Sequence, residues 1–191
     1  MNERNNNIQK KIENTSKIIL ELKSIIPEIN KTINIISKCL IKGNKIVLFG
    51  NGGSAADAQH FVAEFIGRFQ KERKSYPAIS LTSDSSILTS LSNDYSFDSI
   101  FSRQCESLVN LDDVVIAIST SGNSKNIVKG LETAKERGAK IISLLGNSGG
   151  IIKNYSDLTI IVDSDVTAHI QEVHRVIYHT ICNFVEKSLS E

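Results

Sequence analysis

From residue 45 onward the chain alternates between short, almost wholly apolar runs and stretches with helical spacing, and few folds accept that pattern. Five runs rich in β-branched and aliphatic residues, at 45–49, 78–81, 114–118, 140–145 and 158–162, read as strands. Helical patterns separate them at 54–69, at about 86–109 with a break near Asn93, at 124–137 and briefly after Gly149, and a last one spans about 167–189. A strand apolar on both faces must be covered on both faces. The expected fold is therefore a doubly wound α/β domain, a five-stranded parallel sheet between two layers of helix. In such a sheet ligands sit at the carboxyl ends of the strands, where loops enter helix N-termini, so those loops are where function is to be sought.

The segment before the first strand is different. Ile12, Ile19, Ile26, Ile33 and Leu40 recur every seven residues, with Leu22, Ile29 and Ile36 three positions later, which predicts a long amphipathic helical region. Pro27 lies inside it, and its missing N–H and ring clash predict a kink or a split into two helices. Residues 1–42 are expected to be an N-terminal helical oligomerisation segment attached to one domain over 1–191. At 191 residues, with two prolines and no repeat or low-complexity stretch, a second domain is not expected.

Composition narrows the setting. The net charge of +1 gives no bulk electrostatic case for a nucleic-acid or membrane-surface partner. The longest apolar runs fall short of a membrane span, and the polar start MNERNNNIQKK lacks the apolar core of a secretory signal, so the expectation is cytoplasmic. Cys39, Cys105 and Cys182 are far apart and lack C-x-x-C spacing, which predicts reduced structural thiols.

Two loops carry chemistry. GNGGSAADAQH, residues 50–60, leaves the first strand and enters a helix, and its glycines let backbone N–H groups approach an anionic or hydroxylated ligand. Gly50, Gly52 and Ala55 also fit the dinucleotide pattern G-x-G-x-x-A, but the first acid after the second strand is Asp84, too far along to serve the ribose, and no nicotinamide or flavin site is expected. After the third strand, STSGNSKN places Ser119, Thr120, Ser121 and Ser124 before a helix, a lysine-free phosphate cradle in which one hydroxyl is expected to act only as a cap. His60 and Glu64, four residues apart, share one helical face and suit one metal, an acid/base pair, or simply a surface pair that sit near each other, since an isolated H-x-x-x-E spacing is common. On the closing helix Ile170, Val173, Ile177, Ile181 and Phe184 form an apolar stripe, His174 lies at its margin as a hydrogen-bonded histidine, and Gln171 and His179 share a different face two turns apart.

These pieces, in this order, resemble the sugar isomerase (SIS) domain family, with a flavodoxin-like sheet, and within it the phosphoheptose isomerase branch. The resemblance rests on GNGGSAADAQHFVAEFIGRF, PAISLTSDSSILTSLSNDYSFD, ISTSGNSKNI and HIQEVHRVIYH and covers nearly the whole chain. It implies that Asn51, Gly52, Gly53, Ser54, Glu64, Asn93, Asp94, Ser119, Thr120, Ser121, Ser124 and Gln171 contact a sugar phosphate. It implies one Zn²⁺ per subunit on His60, Glu64, Gln171 and His179, with Glu64 and His179 as catalytic acid/base residues. The implied reaction is an aldose–ketose isomerisation of sedoheptulose 7-phosphate to D-glycero-D-manno-heptose 7-phosphate, for lipopolysaccharide or capsule. The family often has Arg where this chain has His169. The competing reading is a non-catalytic adaptor that binds the replication initiator DnaA, or a sugar-phosphate sensor, but the adaptor departs from the isomerases at the positions of Glu64 and His179, both of which stand here.

A homotetramer with shared active sites is also expected. Ile at the heptad position with Leu or Ile three later leans toward assemblies above a dimer. On the closing helix His179 lies roughly 160° from the centre of the apolar stripe. If that stripe docks on its own sheet, His179 turns away, and another subunit must bring it to Glu64.

Overall fold

Strands β1 (Ile46–Gly50), β2 (Ala78–Ser80), β3 (Val114–Ser119), β4 (Lys140–Gly146) and β5 (Leu158–Val162) form one sheet in the order β2-β1-β3-β4-β5 in the computed structural model, which describes residues 2–190. Every neighbouring pair is parallel. β1 leads outward to β2 while β3 leads the other way to β4, so the strand order reverses between β1 and β3. Gly50 lies opposite Ile118 in the register, which sets the loops after these two strands side by side at the switch point.

The period of two divides the strands between two cores. Ile46, Leu48, Val114, Ile116, Ile118, Ile142 and Leu144 face one side, against α2 (Ile26–Ile41), α3 (Gly53–Ile66) and α7 (Thr167–Ser190). Val47, Phe49, Val115, Ala117, Ile141 and Leu145 face the other, against α5 (Ser102–Leu108) and α6 (Lys125–Glu136). Both faces are covered, as the continuous apolar character of the strands requires.

At the N-terminus α1 (Glu3–Glu21) is separated from α2 by a 3-10 turn, Leu22–Ile25. Pro27 stands in the first turn of α2, where its missing N–H has no intrahelical acceptor to lose, so the expected split falls just before it. No residue of α1 is buried. The helical pattern after β2 breaks slightly later than its sequence suggests: α4 (Ser85–Asp94) runs past Asn93, and the backbone turns at Tyr95 before α5. Asp84 caps α4 by accepting from Ile87 N–H at 2.9 Å, which gives that acid a structural task. The brief helical pattern after Gly149 is a 3-10 turn, Ile152–Tyr155.

The closing helix is rotated from the expected orientation. Its buried residues are Ile170, Val173, His174, Ile177, Tyr178, Ile181, Cys182, Val185 and Glu186, while Phe184 is 47% exposed. On a helical wheel this arc is centred roughly 60° away from the stripe read off the aliphatic residues. The cause is that α7 packs at once on the sheet, on α2 and on α3, and the α3 side is filled by an aromatic, a thiol and a carboxylate that an apolar count undervalues.

That carboxylate anchors the chain after α3. Glu186, 2% exposed, accepts from the N–H groups of Phe69 (3.1 Å), Gln70 (2.9 Å) and Lys71 (2.8 Å) and from Arg73 Nε (2.9 Å). Arg73 in turn donates to the carbonyls of Glu64 (2.7 Å) and Phe65 (2.9 Å), closing the C-terminus of α3. The three cysteines are buried free thiols; burial pushes Cys39 up to about 11 and Cys105 up to about 12, consistent with structural roles.

Candidate active site

The loop after β1 turns through Gly52, whose φ of +55° favours glycine and above which a Cβ would meet nothing within 4 Å. Gly53 is restricted differently: a Cβ there would collide with Nε2 of Gln171, so the Gln171 amide rests directly on the start of α3. Asn51 pairs with Asn126 at the start of α6 through reciprocal amide hydrogen bonds of 2.9 Å, which ties the glycine loop to the segment after β3; Asn126 Oδ1 also accepts from Ile127 N–H at 3.0 Å, while the Asn51 amide keeps half its capacity. Ser54 is buried at the first turn of α3. A cavity of about 160 Å³ opens here, lined by Asn51, Gly52, Thr82, Leu88, Phe97 and Phe101 among others.

In the second loop the hydroxyls divide their work in an unexpected way. Ser124 is the residue preceding α6, yet its side chain makes no capping bond. Ser119 accepts from Gly122 N–H (3.1 Å) and Ser121 from Asn123 N–H (3.2 Å), so these two shape the loop. Thr120 and Ser124 are half-buried, with side chains not engaged in that turn. Asn93 and Asp94 are exposed at the end of α4, where Asn93 Nδ2 donates to Asp94 Oδ1 at 2.8 Å; among the described residues no hydrogen bond joins them to the other candidates.

The remaining candidates converge. His60 Nε2 is 2.9 Å from Glu64 Oε1, and the His179 ring lies 5.1 Å from the His60 ring, centroid to centroid. One ligand atom from each of His60, Glu64 and His179 can be chosen so that all lie within 4.8 Å of one another. Burial, with His60 alongside, holds the His179 imidazole below its ordinary pKa against the opposing pull of Glu64. Two imidazoles and a carboxylate at this spacing could together hold one metal ion. Gln171 and His179 line the same groove of about 510 Å³ on α7, together with Arg175 and Glu172.

This arrangement corrects the expectation that a second subunit must bring His179 to Glu64: one chain holds both. The physical reason is the rotation of α7. With the buried arc centred toward Tyr178 and Cys182, His179 falls at its edge beside α3, half-buried, rather than on the far side of the helix.

Several residues around the cluster lie within the sequence motifs but receive no role from them. Tyr178 stacks on Phe61 (5.1 Å) and meets both His60 (5.6 Å) and His179 (4.6 Å) edge-on. Phe69 lies 5.7 Å from the His179 ring. Buried Asp57 accepts from Arg175 Nη2 at 2.9 Å. Burial, then the charge of Asp57, pushes the Tyr178 phenol up to about 12, so it keeps its proton at neutral pH. Asp57 and Arg175 read in the sequence only as ordinary polar helix positions. Their partnership crosses 118 residues and has no local signature. His174 is fully buried, its Nε2 3.2 Å from the carbonyl of Leu145, and His169 enters no ion pair among the described residues.

A parallel sheet of order 2-1-3-4-5 with a glycine loop and a hydroxyl loop at its switch point places the chain in the doubly wound α/β class, and the SIS domain family matches residues 10–146. A phosphoheptose isomerase from Citrifermentans bemidjiense is 52% identical over 163 residues, 85% of each chain. A probable phosphoheptose isomerase from Thermoplasma acidophilum is 53% identical over 152 residues, 80% of this chain and 84% of that one. The structure of a phosphoheptose isomerase from Francisella tularensis superposes with a TM-score of 0.92 at 35% identity, over 95% of this chain and 97% of that one. The chain belongs to the phosphoheptose isomerase family of SIS-domain proteins.

Proposed function

We propose that this chain interconverts sedoheptulose 7-phosphate and D-glycero-D-manno-heptose 7-phosphate through an enediol, with Glu64 and His179 as the proton-transfer pair. The observation that carries the reading is the convergence of Glu64, His60 and His179 in one chain, in a protein of this family. An aldose–ketose shift moves one proton between C1 and C2 and another between their oxygens. Glu64 takes the C1 proton and returns it to C2, while His179, whose pKa burial lowers, exchanges protons with the oxygens. Asn51, Gly52, Gly53 and Ser54 with Ser119, Thr120, Ser121 and Ser124 hold the phosphate and adjoining hydroxyls, and Asn93, Asp94 and Gln171 complete the sugar site. That binding fixes C1 and C2 against the pair.

The donor set fits Zn²⁺, held by His60, Glu64, His179 and the Gln171 carbonyl, one ion per subunit. When bound, the ion supplies Lewis-acid polarisation of the sugar carbonyl. The setting proposed is cytoplasmic, in heptose supply for lipopolysaccharide or capsule; buried free cysteines and the absence, among the described residues, of any helix long and apolar enough to cross a membrane accord with it. A homotetramer is proposed from α1, whose Ile8, Ile12 and Leu20 stand exposed on a helix with no buried residue. The adaptor reading gains nothing here, because pure binding has no use for a carboxylate set against two imidazoles. The test is an assay of purified protein on sedoheptulose 7-phosphate beside five- and six-carbon ketose phosphates. Isomerisation of the seven-carbon sugar above the shorter ones is expected; turnover of the shorter ones alone would overturn the substrate, and no turnover at all would overturn the enzyme.

A further inference from the structure

The hydroxyl loop after β3 is braced from one side by the segment that follows β4, residues 146–151, to which no sequence motif gives a role. Asn147 Nδ2 donates to the Thr120 carbonyl at 2.9 Å, Ile151 N–H to Asn123 Oδ1 at 3.0 Å, and Ile152 N–H to the Gly122 carbonyl at 2.9 Å. Asn123 passes the brace inward, its Nδ2 donating to the Ser121 carbonyl at 2.9 Å. The carbonyls of three consecutive residues, Thr120, Ser121 and Gly122, are thus all engaged.

The two segments also meet backbone to backbone. A Cβ on Gly122 would collide with the Gly149 carbonyl, and one on Gly150 with the Gly122 carbonyl, so neither position accepts a side chain without parting the segments. Asn147 stands at φ +51°, a left-handed conformation that Asn and Gly tolerate best and that here carries its amide to Thr120.

For an anion this bracing matters, because a carbonyl oxygen repels phosphate while an N–H attracts it. A trans peptide points its C=O and N–H in opposite directions, so holding the Thr120 carbonyl on Asn147 turns the Ser121 N–H away from that side. Among the described residues the Ser121 N–H meets no acceptor, which leaves it open to a ligand.

We propose that residues 146–151 position the phosphate-binding loop, with Asn147 and Asn123 as positioning residues that hold the carbonyls of Thr120, Ser121 and Gly122 off the bound phosphate. The proposal rests on the reading of that loop as the phosphate site and adds to it two residues that touch no substrate.

The test uses full-length protein, titrated calorimetrically with inorganic phosphate and assayed for KM and kcat on sedoheptulose 7-phosphate. Asn147→Gly keeps the left-handed backbone and removes the amide; Asn123→Ala removes both of its side-chain bonds to the brace. Each should weaken phosphate binding and raise KM by roughly 3- to 10-fold, the scale of one or two lost hydrogen bonds, with kcat within about 2-fold and little change in melting temperature. Gly150→Ala, which drives a Cβ into the Gly122 carbonyl, should act in the same direction, and the asparagine variants decide the matter if it folds poorly. Phosphate affinity and KM unchanged in both asparagine variants, whatever happens to kcat or melting temperature, would overturn the proposal alone. No phosphate binding by wild type, or binding that survives Ser121→Ala and Ser124→Ala together, would overturn the reading of the loop as the phosphate site and the proposal with it.

Discussion

His174 illustrates what burial does to a single group. Its Nε2 donates to the Leu145 carbonyl, and burial pushes its pKa down to about 4 from 6.5, opposed by that hydrogen bond and then by the charge of Asp57. The unfolded chain takes up a proton near pH ~6.5 while the folded one declines it until about 4, so the unfolded state binds more protons and stability falls as pH falls through that window. The shift corresponds to a few kcal/mol, roughly 3, at its limit. Urea unfolding should show clearly lower stability at pH 5 than at pH 7, and His174→Gln should flatten that dependence; a wild-type profile flat across the window would contradict the assignment. This residue is legible in the sequence as a core-margin histidine because it neighbours the aliphatic stripe. Asp57, Arg175 and Tyr178 are not, because their meaning lies in contacts between α3 and α7 that no local spacing encodes.

At the scale of elements, the strands and helices follow from period and punctuation, and most ends move by a residue or two, though α3 closes three residues early at Ile66 and the pattern over 86–109 becomes α4 and α5 with 95–101 between them. The orientation of α7 does not follow, since an aliphatic count places Phe184 in the core and His179 outside it. Tyr178, Cys182 and Glu186 decide the rotation, and each reads as polar or ambiguous in sequence. Glu186 has the largest local consequence. Burial alone would raise its carboxyl, but the N–H groups of Lys71, Gln70 and Phe69 and the Arg73 guanidinium outweigh that and hold it below the usual carboxylate range. Glu186→Gln should therefore leave Arg73 buried without its counter-charge and cost about 3 kcal/mol in urea unfolding. A loss under about 0.5 kcal/mol, typical of an exposed pair, would show that the clamp is not closed in solution.

For the whole molecule, the exposed apolar residues of α1 predict roughly four chains by light scattering, and an active monomer would remove that helix from assembly. The co-location of His60, Glu64 and His179 in one chain changes what mixing experiments should give. Glu64→Gln and His179→Ala subunits, exchanged and reassembled, should not rescue one another, because every site in the hybrid lacks one member of the pair. Recovery of a substantial fraction of wild-type activity would mean that the pair is completed across subunits after all. The loops at the switch point are legible in the sequence, since glycine and hydroxyl runs between a strand and a helix are local features; the arrangement of the loops around one another, through Asn51–Asn126 and Gly53–Gln171, is not, because it joins residues far apart along the chain. The most direct measurement is turnover of sedoheptulose 7-phosphate by Glu64→Gln, alongside its binding of the same sugar phosphate. The variant should bind the sugar while its kcat drops by roughly 10²- to 10⁴-fold, the range for loss of a general base; a kcat within a few-fold of wild type would contradict Glu64 as the group that moves the carbon-bound proton.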